Sequence, residues 1–493
     1  MQARAEDYEK QHRKGKLHAR ERIEKLLDPN TFHEIGEGIS GRLDGKNLEG
    51  DGVITGYGLI NKKLVYIYAQ DFTICGGTLG IKHGKKIVQA IKKAMKYKCP
   101  IIGINDSGGA RIQEGIKALS TYGEIFYHNT LASGYILQIS IMSGPCAGGA
   151  VYSPGLTDFI FVIDHISKMF VTGPKVVKEV TGEETSEECL GGAEIHADFS
   201  GVAHVFCKNE EECFEKVREL LSFLFFKKIS HKKHELRYLN EKCNLSDIVP
   251  LNSRCIYDVK DVIEKIVDIH TFYEIQERYA KNIVVGFARI GGRSVGIVAN
   301  QPKEVCGVLD CDSSVKAARF IRLCNAFEVP LVTLVDVPGF MPGIQQETNG
   351  IIRHGAKLLY AYAEADVFKI TIVLRKAYGG AYIAMCCKSL GADFVYAWPM
   401  AEISVMGAEG AVPILYGRKL KDMEPDTKAE FLKEKIYEYK KNYMNTNMAV
   451  EEGLVDEIIE PNQTREKIMA AFMNDKKVDS VRQIFKKSGN IPL

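Results

Sequence analysis

Two apolar runs in this chain end in bare glycine. YILQISIM (135 to 142) leads into CAGGAVY (146 to 152), and ITIVL (370 to 374) leads into AYGGAY (377 to 382), a stretch with no acid, base or nucleophile. A strand that turns sharply through Gly-Gly-Ala into a helix leaves the first backbone N–H groups of that helix without internal partners. Those groups carry the positive end of the helix dipole, and glycine lets a ligand approach the bare backbone. The chemistry on offer is the holding of an oxygen that becomes negative. Two such turns imply two oxyanions that take turns holding charge, a reaction that needs no protein nucleophile. One Gly-Gly turn is an ordinary packing device; the pair carries the functional reading. GTLGIKHGKK (77 to 86) brushes past the P-loop pattern but lacks a glycine five residues before Gly84 and a Ser or Thr after Lys85, so nucleotide hydrolysis is not indicated.

The elements that must position these turns repeat along the chain. At a shift of 230, GYGLINKKLVYI (56 to 67) falls on GFARIGGRSVGI (286 to 297), each reading as strand, tight turn and strand. At the same shift Gly77 falls on Gly307, Leu79 on Leu309, Lys86 on Lys316, Pro100 on Pro330, Asp106 on Asp336 and Gly109 on Gly339. Gly148, Gly149 and Ala150 then meet Gly379, Gly380 and Ala381 at 231. Each half reads as two strands, an amphipathic helix, a buried strand ending in a glycine turn, a helix, and a second buried strand ending in GGA before a helix. This is an α/β pattern in two copies, with domains expected at 1–240 and 241–493. Residues 208 to 258 read as a helix closing the first half and then a polar crossing, and EDYEKQHRKGKLHARERIEKLLDPN (6 to 30) reads as an N-terminal helix stopped at DPN. In KHGKK…KKAMKYK (82 to 98), Ile81, Ile87, Val88, Ile91, Ala94 and Met95 mark one helix face. The lysines lie mostly opposite, as on a solvated face.

A length of 493 residues calls for more than one core. Lys plus Arg number 65 against 63 Asp plus Glu, a formal +2, so no global field recommends nucleic acid or an anionic membrane. The thirteen cysteines show neither zinc spacing nor a disulfide framework, so no metal is expected and a reducing cytoplasm is. The charged N-terminus has no apolar stretch of the secretory kind. Residues 125 to 157 run uncharged, but their prolines and clustered glycines suit a soluble core better than a membrane span.

GKLHARERIEKLLDPNTF (15 to 32), NDSGGARIQEG (105 to 115), GPCAGGAVYSPGLTDF (144 to 159), LGGAEIHADFSGVAH (190 to 204), VDVPGFMPGIQQE (335 to 347), IIRHGAKLLYAYAEA (351 to 365), RKAYGGAY (375 to 382), AEISVMGAEGA (401 to 411) and GNIPL (489 to 493) together resemble the carboxyltransferase β subunits of biotin-dependent acyl-CoA carboxylases, of the propionyl-CoA carboxylase type. The resemblance spans essentially the whole chain. It implies two tandem crotonase (ClpP-like) domains and a ring-shaped homohexamer, with active sites formed between the N-terminal domain of one chain and the C-terminal domain of its dimer partner. It implies that carboxybiotin, on a partner subunit, releases CO2, that the biotin ureido anion takes the α-proton of the acyl-CoA, and that the enolate attacks CO2. By resemblance Gly148 and Gly149 hold the thioester oxygen, and Gly380 and Ala381 lie on the biotin side. Tyr382, Ile383 and the Gly108–Gly109–Ala110 turn are assigned to substrate binding.

The sequence departs from that family at several points. AMKY (94 to 97) lies inside a helix, so biotin is expected on another polypeptide, a carrier subunit. Nothing resembles a biotin carboxylase, which is expected as a partner, and the zinc ribbon of bacterial acetyl-CoA carboxyltransferases is absent. Ile383 stands where propionyl-type members usually carry Asp, and Phe368 where Pro is common. A sodium-pumping methylmalonyl-CoA decarboxylase or a transcarboxylase would run the same half-reaction with other partners. A non-catalytic scaffold for a biotin carrier is disfavoured by retention of both GGA turns, and a hydratase by the lack of paired glutamates at them.

Overall fold

The runs IIGIN (101 to 105) and LVTLV (331 to 335) have no polar face to show to water, so each must lie inside a sheet covered on both sides. Both do in the computed structural model, where Ile101–Ser107 and Leu331–Val337 are buried at every position. The structure describes residues 2–43, 45–226, 244–253, 255–421, 423–475 and 489–491. The chain divides into two units. Of the described residues, one unit runs to Phe225 and takes in Gln276–Tyr279 and residues 489–491; the other comprises Phe226–Ile275 and residues 280–475. The boundary expected between residues 240 and 241 lies outside the described residues.

In the first unit the sheet order is His33–Glu34, Val53–Ile60, Lys63–Gln70, Ile101–Ser107, Gln138–Ala147, Phe159–Ile163 and Val205–Cys207, with Lys168–Phe170 also paired to Gln138–Ala147. In the second unit it is Tyr273–Ile275, Ile283–Ile290, Arg293–Asn300, Leu331–Val337, Lys369–Tyr378, Phe394–Ala397 and Glu457–Ile458, with Glu402–Ser404 also paired to Lys369–Tyr378. The first three strands of each sheet are antiparallel neighbours and the later ones parallel. The two halves thus share one topology, the duplicated α/β fold expected from the repeat. The helices Ile81–Tyr97 and Ile116–Ala132 pack together in one unit, Cys311–Ala326 and Ile351–Glu364 in the other.

Two local readings change. The N-terminal segment is two helices, Gln2–His12 and Ala19–Leu26. Gly15 takes a left-handed φ of 69° between them, and His18 caps the second helix, its Nδ1 accepting from Arg20 N at 3.3 Å. Helix Ile81–Tyr97 buries the expected Ile87, Val88, Ile91 and Ala94, but also His83 and Lys86, so its basic side is only partly solvated. Among the described residues no helix is long and apolar enough to cross a membrane; the uncharged run falls in two helices and the strand between them.

The central strand pair of each unit carries a register shift at an aspartate. Asn105 pairs with Met142 but Ser107 with Cys146, and Val335 pairs with Val373 but Val337 with Ala377, leaving Asp106 and Asp336 in the irregularity. Each Asp donates its N–H to the side-chain carbonyl of an amide residue, Gln70 at 3.1 Å or Asn300 at 3.3 Å. Each carboxylate is fully buried against cations. Asp106 meets Lys16 Nζ at 2.6 Å and Arg22 Nη1 at 3.0 Å, and Arg22 Nε also binds Glu210 at 2.6 Å. Asp336 accepts from Arg375 Nε at 3.0 Å, from the Tyr257 hydroxyl at 3.0 Å and from Lys376 N at 3.1 Å. A buried carboxylate persists only with such partners. Burial holds the Lys16 ammonium below its usual range, against the opposing pull of Asp106.

At Gly144 a Cβ would collide with the Asp106 carboxylate and lie 2.7 Å from Lys16 Nζ. Gly144→Ala is therefore expected to cost about 1 to 3 kcal/mol, as for an overpacked core site, and to lower Tm. Gly123→Ala, on a helix where an added Cβ meets nothing within 4 Å, should leave Tm unchanged or raised. Equal melting of the two variants would remove the steric argument.

Candidate active site

The strand Gln138–Ala147 reaches its turn at Gly148, whose φ of 59° and ψ of −127° suit glycine alone. The N–H of Gly148 is tied to the neighbouring strand end, donating to Val171 O at 3.0 Å and Phe170 O at 3.2 Å. Helix Gly149–Gly155 begins at once, and Val151 N returns to Gly148 O at 3.2 Å. The first N–H groups of the helix are therefore those of Gly149 and Ala150, which by helix geometry have no acceptor inside it. Beneath Gly149 lies the Tyr122 ring, 3.1 Å from where a Cβ would stand.

A second turn abuts the first. Past Ser107 the chain runs through Gly108, Gly109 (φ 101°) and Ala110. Leu79 N donates to Gly109 O at 2.9 Å and Arg111 N to Leu79 O at 3.0 Å. That bridge uses the groups on either side of Ala110 and leaves the N–H of Ala110 itself out of the ladder. A Cβ on Gly109 would lie 2.9 Å from Ala147 O, so the two turns touch through bare backbone. Arg111, 1% exposed, fixes the turn from behind: Nη1 binds Asp51 Oδ1 at 2.6 Å and Glu114 Oε1 at 2.7 Å, and Nη2 binds Thr78 O at 2.9 Å.

The second unit repeats the arrangement. Tyr378 ends the strand, Gly379 turns at φ 59°, and helix Gly379–Ala384 follows. A Cβ on Gly379 would stand 3.0 Å from Val405 O, while one on Gly380 would meet no atom within 4 Å, so Gly380 faces open space. Ala381 is buried, and its carbonyl accepts from Met385 N at 3.0 Å. Leu309 N bonds Gly339 O at 3.1 Å and Met341 N bonds Leu309 O at 2.7 Å, the counterpart of the Leu79 bridge. The Tyr378 hydroxyl donates to Glu402, which Lys440 also contacts at 3.2 Å. Tyr382 is buried with no hydrogen-bond partner for its hydroxyl among the described residues, and burial pushes its pKa up. Ile383, 46% exposed, stands on the surface one turn into the helix.

The residues expected from the sequence thus fall into two constellations: Gly108, Gly109, Ala110, Gly148 and Gly149 in one unit, and Gly380, Ala381, Tyr382 and Ile383 in the other. Neither holds a ready nucleophile. The only thiol in the first turn, Cys146, is fully buried and pushed up to about 12 by burial and the nearby Asp106. Cys386, behind the second, is likewise pushed up to about 12, chiefly by burial. Among the described residues no group of three or more His, Cys, Asp or Glu could hold a metal. Sequence reasoning missed the buried partners of Asp106 and Asp336, although both aspartates recur in register in the repeat. It also missed the Arg111 clamp and the Tyr378–Glu402 contact.

Residues 10–491 match the family model of the carboxyl transferase domain. The chain is 51% identical to the methylmalonyl-CoA decarboxylase subunit alpha of Veillonella parvula over 98% of this chain and 95% of that one. It is 49% identical to the propionyl-CoA carboxylase beta chain of Roseobacter denitrificans over the same shares. The solved transcarboxylase 12S, a hexamer with methylmalonyl-coenzyme A bound, superposes with a TM-score of 0.91 at 46% identity, covering 99% of this chain and 94% of that one.

If backbone N–H groups do the chemistry, deleting one must hurt. Ala381→Pro removes a donor at the start of the second helix, where proline's φ is tolerated. Turnover is expected to fall by about a hundredfold to a thousandfold, with the oligomer intact by size-exclusion chromatography. Full activity in a folded variant would contradict this.

Proposed function

The chain belongs to the carboxyl transferase family as a biotin-dependent acyl-CoA carboxyltransferase, and on that premise we propose that it moves a carboxyl group between biotin, borne by a separate carrier subunit, and the α-carbon of a short-chain acyl-CoA, propionyl-CoA or acetyl-CoA. The observation that carries this reading is the duplicated turn: two helix starts, one per unit, each with free N–H groups at the end of a buried strand. Gly148 and Gly149 with the Ala110 turn are assigned the thioester oxygen. Because the Gly148 N–H is engaged by Val171 and Phe170, the donors there are Gly149, Ala150 and Ala110, and Gly148 supplies the bend. Gly380 and Ala381 are assigned the ureido oxygen of biotin.

The residues present fit these groups. Open space before Gly380 admits a flat ring system to the backbone, and no side chain at either turn competes as acid, base or nucleophile. Biotin supplies the carboxyl group and the base. The protein lowers the energy of the enolate by holding its oxygen on dipoles that are already oriented, so no reorganisation is needed when charge develops. It also sets the two reacting partners at fixed positions. Asp106 and Asp336 act through the turns: their clusters fix the strand ends from which the donors project.

The partners we assign are a biotin carboxylase and a biotin carrier, with the chain assembled as a homo-oligomer, a hexamer like transcarboxylase 12S. The twelve described cysteines are all free thiols, which supports a cytoplasmic setting. A second reading has support of its own in the 51% identity to a decarboxylase subunit. The same donors serve the reverse step, decarboxylation of methylmalonyl-CoA, since a catalyst lowers one barrier for both directions. Subunits co-purified from the native source distinguish the two: an ATP-dependent biotin carboxylase supports the forward assignment and a membrane decarboxylase subunit the reverse. Carboxyl exchange between malonyl-CoA or methylmalonyl-CoA and free biotin tests both, and its absence in the intact oligomer would sink the proposal.

Ile383 follows the second turn and offers an apolar, half-exposed wall. A methylene in an apolar pocket is worth about 1 to 3 kcal/mol of discrimination. Ile383→Asp is expected to change the ratio of specificity constants for acetyl-, propionyl- and butyryl-CoA by about tenfold or more. An unchanged ratio would assign Ile383 to packing alone.

A further inference from the structure

The basic face of helix Ile81–Tyr97 is not an ordinary solvated surface. Lys82, Lys85 and Lys86 lie on its first two turns at the spacing of one face. Across from them stands the hairpin of Gly41–Leu43 and Lys46–Leu48. Between the two runs a groove of about 860 Å³, lined by Arg42, Lys82, Lys85, Lys86, Ser40 and Asn47 among others, with no carboxylate in its lining among the described residues. That volume is in the range of small-molecule sites.

Among the described residues no carboxylate forms an ion pair with the cations of this groove. Lys86 is 2% exposed, yet its ammonium rests only on backbone carbonyls, Gly50 O at 3.1 Å and Val53 O at 2.5 Å. The nearest carboxylates are committed elsewhere, Asp51 to Arg111 at 2.6 Å and Glu34 to Arg20 at 2.5 Å. Burial accordingly holds Lys86 below the usual lysine range. Lys82 Nζ is on Ser40 O at 2.7 Å, and Arg42 and Lys85 have no ion-pair partner among the described residues. Glu34 and Asp51 attract the Lys86 ammonium at a distance, but a buried cation that no carboxylate touches is costly, and an anion in the groove would relieve that cost. The first N–H groups of the helix are already occupied, Ile81 N by Glu114 and His83 N by Asp51, each at 2.7 Å, so side chains must meet the ligand.

We propose that this groove is a binding site for the phosphate groups of a nucleotide-sized organic anion. Phosphate is favoured over a single carboxylate because four cations line a groove large enough for more than one anionic group. The phosphates belong either to the CoA portion of the thioester or to a separate phosphorylated ligand. The binding claim stands apart from the reading of the glycine turns.

The test is calorimetric titration of the intact oligomer with inorganic pyrophosphate and with adenosine 3′,5′-bisphosphate, for the wild type and the double variant Arg42→Gln/Lys85→Gln. Both side chains are exposed, so the fold should survive, which circular dichroism checks. Saturable binding that weakens with salt is expected in the wild type, and affinity lower by about fivefold or more in the variant. No saturable binding to the wild type, or equal affinity in a folded variant, overturns the proposal. KM values then identify the source. A rise for acyl-CoA but not for the acyl-pantetheine that lacks the phosphates assigns the groove to the substrate; unchanged KM alongside weakened probe binding assigns it to a separate ligand. If the protein showed no carboxyl transfer, the titration would still report on the groove.

Discussion

A buried aspartate at the end of a central strand governs the geometry of each unit. Asp106 and Asp336 sit where the register between the two innermost parallel strands breaks. A carboxylate inside a sheet can remain ionised only if cations and N–H groups surround it, and those partners then dictate where the strand ends and the following turn can lie. The units meet this demand differently. In the second, Arg375 and the Lys376 N–H come from the adjacent strand. At the matching positions of the first stand Gly144 and Pro145. Glycine leaves room for the Asp106 carboxylate and the Lys16 ammonium, and the guanidinium is brought from elsewhere, Arg22 on the second N-terminal helix. Proline has no N–H to give, and Asp106 Oδ1 lacks a hydrogen-bond donor among the described residues. The N-terminal helix pair is therefore part of the first turn's foundation. Removing one partner of such a cluster costs about 3 to 5 kcal/mol, even where the cluster as a whole adds little net stability.

From this foundation the chemistry follows with few side chains. Each turn projects main-chain donors whose orientation is fixed by the fold, at a φ near 60° that glycine adopts without strain. Burial keeps the surrounding tyrosines and thiols neutral, and the carboxylates behind the turns, Asp106 and Asp336, are paired with cations. Backbone donors also resist loss by mutation, because most substitutions leave the N–H in place. That suits the proposed reaction, in which the base and carboxyl donor arrive on another polypeptide.

The sequence made the duplicated topology legible because glycine, proline and aspartate punctuate both halves at one spacing, and those residues act through local backbone geometry. The glycine turns were legible for the same reason. What escaped depends on partners far apart in the chain. Arg22 meets Asp106 and Glu210 across long separations, and no local pattern announces such a contact. Helix periodicity placed Lys86 with the solvated lysines, although it is buried under the hairpin and the Gly50–Val53 segment. The N-terminal helix was overextended because its charged residues suit a helix throughout, while the break rests on Gly15 and a histidine cap, a rarer signal than Ser or Asp.

The central claim is that bare N–H groups at the glycine turns polarise the substrate carbonyl. Difference Raman or infrared spectroscopy of propionyl-CoA labelled with 13C at the thioester carbonyl, bound to the oligomer without biotin, reads that polarisation directly. The account predicts a carbonyl stretch at lower frequency in the complex than in water, as stronger hydrogen bonds draw charge onto the oxygen. A bound thioester whose carbonyl frequency equals that in water, or lies above it, would contradict the account.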